Sequence, residues 1–251
     1  PELVEDIKRI CGMDSRQDTA VPGHPFGERV TDCLNKALEI AKGLGFETEN
    51  VGNQIGIASW GPDTEDYIAC VGHLDVVDVN GVWKTDPFVC TEKDGVLYAR
   101  GVLDNKGPMF CCMYALKALV DLGYEFPIKV KIIFGTNEET GMEDMKWYFQ
   151  NHKYPLMGWT PDCKYPVIYA ERGRAAFRFR LPKTELGELA EFLNGFVLNQ
   201  NDLSSSLGVD YADEEFGKNQ VRKVELFEEG DTCGLTLVSS YPASYSLDTM
   251  R

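Results

Sequence analysis

Four short stretches, far apart in the chain, carry side chains that bind cations or move protons. "VGHLDVV" presents His73 and, two residues on, Asp75. "GVLDNKGP" presents Asp104, "GTNEETG" presents the adjacent pair Glu138 and Glu139, and "TPDCKYP" presents Asp162. Each has an ordinary use by itself. Asp104 stands where a helix N-cap belongs. The glutamates suit a solvated turn, and Asp162 follows a proline as turn aspartates do. Taken together, His73, Asp104, Glu139 and Asp162 make an N/O ligand set suited to zinc or manganese. Adjacent glutamates cannot project the same way, so one can hold a metal while the other, Glu138, holds water. Asp75 can accept the free ring N–H of His73 and fix its tautomer. A metal lowers the pKa of the water it holds from about 15.7 to about 7, and Glu138 can then take the proton as general base.

The flanking sequence supplies elements to carry these groups. "YIACV" reads as a buried strand ending at His73, and "IKVKIIF" as a strand ending just before Glu138 and Glu139. "KGPMFCCMYALKALVDLG" has Met109, Met113, Leu116 and Val120 at helical spacing. Its Pro108 is tolerated in the first turn and Gly123 closes it. "FGERVTDCLNKALEIAKGLG" and "MEDMKWYFQNH" are two more helices, and "YPVIYA", which Asp162 should precede, and "AAFRFRL" are strands. Strands alternating with helices predict an α/β unit with a mostly parallel sheet sandwiched by helices. Ligands gather at the carboxyl ends of strands in such folds, which is where His73 falls. After about Leu181 the texture changes. A helix ("ELGELAEFLNGFVLNQ"), a polar loop and two strands ("KVELF", "GLTLV") predict a smaller α+β unit, which divides the chain into 1–180 and 181–251.

Composition narrows the function. A net charge of −15 leaves no basic face for nucleic acid. No apolar run approaches the roughly 20 residues of a membrane span, and "PELVEDIKRI" has neither the basic head nor the apolar core of a signal peptide. The eight cysteines form no CxxC pair and lie mostly in apolar stretches. That predicts thiols in a reducing cytoplasm rather than disulfides.

The order "GHLDVV", "WKTDPF", "ARGVLDNKGP", "GTNEETG", "TPDCKYPVIYAERG", with "PGHPFGERV" near the start, resembles the co-catalytic dizinc exopeptidases of the aminoacylase/carboxypeptidase-like group, and within them the PepV-like dipeptidases. The resemblance covers about residues 1–180. It implies two zinc ions, with manganese or cobalt as substitutes. His73 and Asp162 would hold one ion, Asp104 would bridge both, and Glu139 would bind the second. Glu138 would be the general acid/base and Asp75 would orient His73. A cis peptide between Asp104 and Asn105, a lid domain, a dipeptide substrate and a monomeric state are implied in the same way.

Two features depart from that pattern. The group takes a further metal-binding histidine from far downstream, whereas this sequence has only His24, His73 and His152, and neither His24 nor His152 stands in the matching context. The lid is also much shorter than in the group, although "GLTLVSSYPASYSLDTM" is similar to a late lid strand and its turn. The resemblance therefore implies an incomplete stretch that cleaves dipeptides weakly or not at all when alone. Two other readings stand beside the dipeptidase: an N-acyl amino acid deacylase, which uses the same metal chemistry, and a non-catalytic remnant of the fold.

Overall fold

The computed structural model describes residues 2–163, 167–246 and 248. The chain divides into two compact units, Pro1–Lys164 and Tyr165–Arg251. The first contains α1 (Glu2–Cys11), α2 (Glu28–Gly43), β1 (Glu47–Val51), β2 (Ile55–Trp60), β3 (Tyr67–His73), β4 (Thr91–Lys93), β5 (Val96–Tyr98), α3 (Lys106–Asp121), β6 (Lys129–Gly135), α4 (Glu143–Phe149) and β7 (Met157–Trp159).

Its main sheet runs β1-β2-β6-β3-β7. β3 pairs parallel with both β6 and β7, while β2 pairs antiparallel with β1 and β6. The sheet is thus mixed: parallel where the candidate ligands lie, antiparallel at the other edge. Alternation along the strands explains its two covered faces. Ala58, Cys70, Val130, Ile132 and Phe134 point into one core with α1, α2 and α3. Ile57, Tyr67, Ala69 and Ile133 point the other way, into a smaller core with Tyr148 of α4. Cutting a fully buried phenylalanine such as Phe134 to alanine costs about 3–5 kcal/mol in such a setting.

α3 starts at Lys106 directly after Asn105, and Pro108 falls in its first turn, where a missing N–H loses no helical bond. It ends where Gly123 takes a positive φ of 76° and donates its N–H to the Val120 carbonyl. This helix packs on the face of the sheet that carries Cys70, with Met109 against Gly72 of β3.

The second unit holds β8 (Gly173–Pro182), α5 (Leu186–Phe192), α6 (Leu203–Ser206), β9 (Ala212–Asp213), β10 (Gly217–Lys218), β11 (Gln220–Glu229) and β12 (Thr232–Tyr241). Its antiparallel sheet is ordered β11-β12-β8. Leu189, Cys233, Leu235 and Leu237 form its core.

Three sequence expectations change. The break between units comes at Lys164/Tyr165 and not near Leu181, because β8 hydrogen-bonds along its length to β12. Of the strand expected at "YPVIYA", Tyr165 and Pro166 lie outside the described residues and 167–170 form no strand. Asp162 accordingly follows a strand, β7, instead of preceding one. The long helix expected from 185 to 200 is α5 continued by a π-helical turn at Leu193–Val197.

Candidate metal centre

The parallel pairings set three strand ends side by side. His73 is the last residue of β3 and pairs with Gly135, the last residue of β6. Glu138 and Glu139 follow β6 in a short 3-10 turn, Glu138–Thr140. Asp162 follows β7. Asp104 comes from the segment that enters α3. Each of the side chains singled out in the sequence therefore reaches the same end of the sheet.

The geometry is close. His73 is 1% exposed, and its Nε2 lies 3.1 Å from Asp104 Oδ1, 3.4 Å from Asp162 Oδ2 and 3.8 Å from Glu138 Oε2. His73, Asp104 and Asp162 each offer a ligand atom within 4.8 Å of the others, and so do His73, Glu138 and Glu139. Asp104 and Glu139 fall in different groups, with His73 common to both.

The electrostatics are those of a site with too little positive charge. Burial disfavours a proton on His73, but hydrogen bonds and charges from Asp162 and Asp75 outweigh it and push the ring up to about 11. Burial raises Glu138, helped by Asp162, Asp75 and Asp104 and opposed by His73. Burial raises Glu139 as well, with Asp104 the largest charge adding to it. Asp162 is lowered, chiefly by its bond to His73. One imidazolium facing Asp75, Asp104, Glu138, Glu139 and Asp162 leaves net negative charge over a small volume. A divalent cation on this N/O donor set would relieve it, so the residues fit a metal of the zinc or manganese type.

Asp75 does more than the sequence suggested. It is fully buried, and its backbone carbonyl lies 2.9 Å from His73 Nδ1, closer than its own Oδ1 at 3.3 Å. The main-chain oxygen is thus the nearer partner of the ring. Its carboxylate also accepts the backbone N–H groups of Glu138 and Glu139. Asp144, 1% exposed, accepts the preceding N–H groups of Thr136 and Asn137 at 2.6 and 3.1 Å. Four consecutive amides are thereby held by two buried carboxylates.

Asp144 and Asn105 were not among the sequence candidates. Asn105 is fully buried and joined to Asp104 by a cis peptide bond. Its Oδ1 accepts the His73 N–H at 3.3 Å, and its Nδ2 donates to the Pro161 carbonyl at 3.0 Å and to Asp162 Oδ1 at 3.1 Å. The one available signal was position: "DN" at the mouth of a helix, beside a candidate ligand.

The other histidines are elsewhere. His24 sits in a tight turn against Val21. His152 stacks on Tyr148 with ring centroids 4.0 Å apart, its Nδ1 2.8 Å from the Tyr148 carbonyl. No disulfide is formed among the described cysteines, and no helix among the described residues is long and apolar enough to cross a membrane.

An α/β unit with one imidazole and several carboxylates at the carboxyl ends of adjoining parallel strands is an arrangement suited to holding a divalent cation. The chain belongs to peptidase family M20/M25/M40, whose model matches residues 69–238. It is 37% identical over 174 residues to a Bacillus subtilis (strain 168) protein named YtjP, covering 68% of this chain and 37% of that one. It is 32% identical over 180 residues to the Beta-Ala-Xaa dipeptidase of Lactobacillus delbrueckii subsp. lactis, covering 70% of this chain and 38% of that one. In fold it is similar to human carnosine dipeptidase 1, with a TM-score of 0.63 at 20% identity over 99% of this chain and 72% of that one. This chain thus spans under two-fifths of the length of the two curated relatives.

Proposed function

We propose that this chain is the metal-binding part of a dipeptidase, a hydrolase that cleaves the amide bond of dipeptides with zinc as its ion. The observation that carries the reading is the convergence on His73 of acidic side chains from three other stretches of sequence. Similarity to a Beta-Ala-Xaa dipeptidase supports the substrate class.

In this reading His73, Asp104 and Asp162 hold one ion, and Asp104 with Glu139 contributes to a second. A divalent ion, when bound, supplies Lewis acidity to water and to the substrate carbonyl. Glu138 takes a proton from the attacking water and delivers it to the nitrogen of the leaving amine. Burial raises its pKa above its ordinary value, the direction that makes a carboxylate a stronger general base. Asp75 fixes the His73 ring through Nδ1 and holds the turn that carries Glu138. Buried thiols at Cys11, Cys33, Cys70 and Cys233 suit a reducing cytoplasm, and a monomer is the assembly we assign.

A kinetic panel on the whole protein tests the proposal. Dipeptides should be hydrolysed, N-acyl amino acids much more slowly, and a chelator should abolish both rates. Hydrolysis that survives exhaustive chelation, or that is confined to N-acyl amino acids, would overturn it.

A further inference from the structure

We infer that Asn105 is a positioning residue: its side-chain amide decides which Asp162 oxygen faces His73, and thereby tunes which cation the site prefers. The inference rests on the reading that His73, Asp104 and Asp162 hold a metal.

The argument starts from hydrogen-bond capacity. A primary amide has two N–H donors and one oxygen. At Asn105 both donors and the oxygen are used, on three partners in two segments of chain: the backbone N–H of His73 at the end of β3, and the Pro161 carbonyl and Asp162 carboxylate just after β7. The partners also fix the amide's orientation. Nδ2 faces two oxygens and Oδ1 faces an N–H, so a flipped amide would set like against like. An aspartate here would do the same.

The strand is shaped around this amide. A Cβ built on Gly72 would lie 2.2 Å from Asn105 Oδ1 and 2.4 Å from Met109 Sδ. Only a glycine lets β3 pass so close. The space is filled by Met109 and by Asn105, which touches two candidate ligands, His73 and Asp162, and follows the third, Asp104, in sequence.

The consequence lies at Asp162. Its Oδ1 is occupied by Asn105 Nδ2 at 3.1 Å, and its Oδ2 is the oxygen 3.4 Å from His73 Nε2. With Asn105 present, the carboxylate has one oxygen engaged and one to offer. Without it, Oδ1 is released as well and the carboxylate can turn. Zinc is satisfied by few ligands, whereas manganese favours six oxygen-rich positions. Freeing the second oxygen should therefore harm zinc more than manganese.

The test is metal binding by the 251-residue chain, read by competition with a chromophoric chelator, with circular dichroism as a check on folding. Asn105→Ala should weaken zinc about 10–100-fold, the usual cost of losing a partner that orients a ligand. It should weaken manganese by clearly less, so that the zinc-over-manganese preference falls. Asn105→Leu, close to asparagine in shape, serves if the alanine variant does not fold, and the same shift is expected. A zinc affinity unchanged within twofold would overturn the inference. So would equal weakening of both ions, which is what a merely structural contact would give. Asp162→Ala separates this inference from the reading beneath it. If that variant keeps full zinc affinity, the metal site itself is misassigned and the role of Asn105 falls with it. If it loses zinc while Asn105→Ala does not, only the role of Asn105 fails.

Discussion

The carboxylate of Asp75 accepts the backbone N–H of Glu138 at 3.1 Å, although 63 positions separate them in the chain. Its second oxygen accepts the N–H of Glu139 at the same distance. The aspartate that follows the histidine strand therefore also fastens the turn with both glutamates. An asparagine would turn an NH2 group toward one of those amides, setting donor against donor.

Asp75→Asn is accordingly expected to lower the stability of the metal-free chain by about 1–3 kcal/mol, the usual cost of a buried donor left unmatched. Urea denaturation without metal reads this directly. A change below about 0.5 kcal/mol would show that the turn stands without its anchor.

Glu138 makes a sharper case, because its side chain is 36% exposed and bears little of the packing. Glu138→Ala should fold normally and keep metal bound, while turnover in the whole protein falls about 10²–10⁴-fold, the usual contribution of a general base. Metal content and kcat are the paired measurements. Activity within a few-fold of the parent would remove Glu138 from the mechanism.

Metal removal should be visible in stability. An ion held at one hundred times its Kd adds about 2.7 kcal/mol to the folded state, which for the first unit corresponds to about 5–10 °C in Tm. Melting with zinc and with a chelator should differ by that much, and the difference should vanish in His73→Ala. An identical Tm under both conditions in the parent chain would contradict the site.

An acid-sensitive contact lies away from the centre. Asp14 accepts hydrogen bonds from Arg16 and Arg29 at 2.7 and 2.8 Å. Chiefly through Arg16, its carboxyl is held down at about 2. A carboxyl lowered on folding stabilises the protein above its unfolded pKa of about 3.9 and loses that contribution as pH falls through the folded value. Asp14 should thus weaken the fold between about pH 4 and pH 2. In Arg16→Ala the loss in that window should be smaller. Parallel pH–stability curves for the two proteins would show that the pair contributes nothing.

Much of this was legible in the sequence because chemistry and periodicity coincide. The strands ending at His73 and Gly135 are short apolar runs with a polar stop, and α3 shows its apolar face, its early proline and its closing glycine. The candidate ligands stood out by residue type. β1 and β2 were missed: "ETENV" is polar because it forms the exposed edge, and "IGIASW" hides among turn residues. β8 was assigned to the wrong unit because a strand's partner is a long-range fact, and β12 comes more than fifty residues later. Asn105 and Asp144 stayed hidden for a related reason. Both are common turn residues, and only their burial and their partners distinguish them.

The strand order has a consequence for how the molecule assembles. Tyr67 aligns with Lys129, and Ile68 with Met157, so the parallel part of the sheet closes only when distant stretches meet. Contacts of that kind form slowly, because the long loops must be closed before pairing rewards them. A growing polypeptide that has emerged as far as the turn after β6 already has its imidazole and paired glutamates, but not the aspartate beyond β7. The candidate metal centre is therefore completed late in the life of the nascent protein.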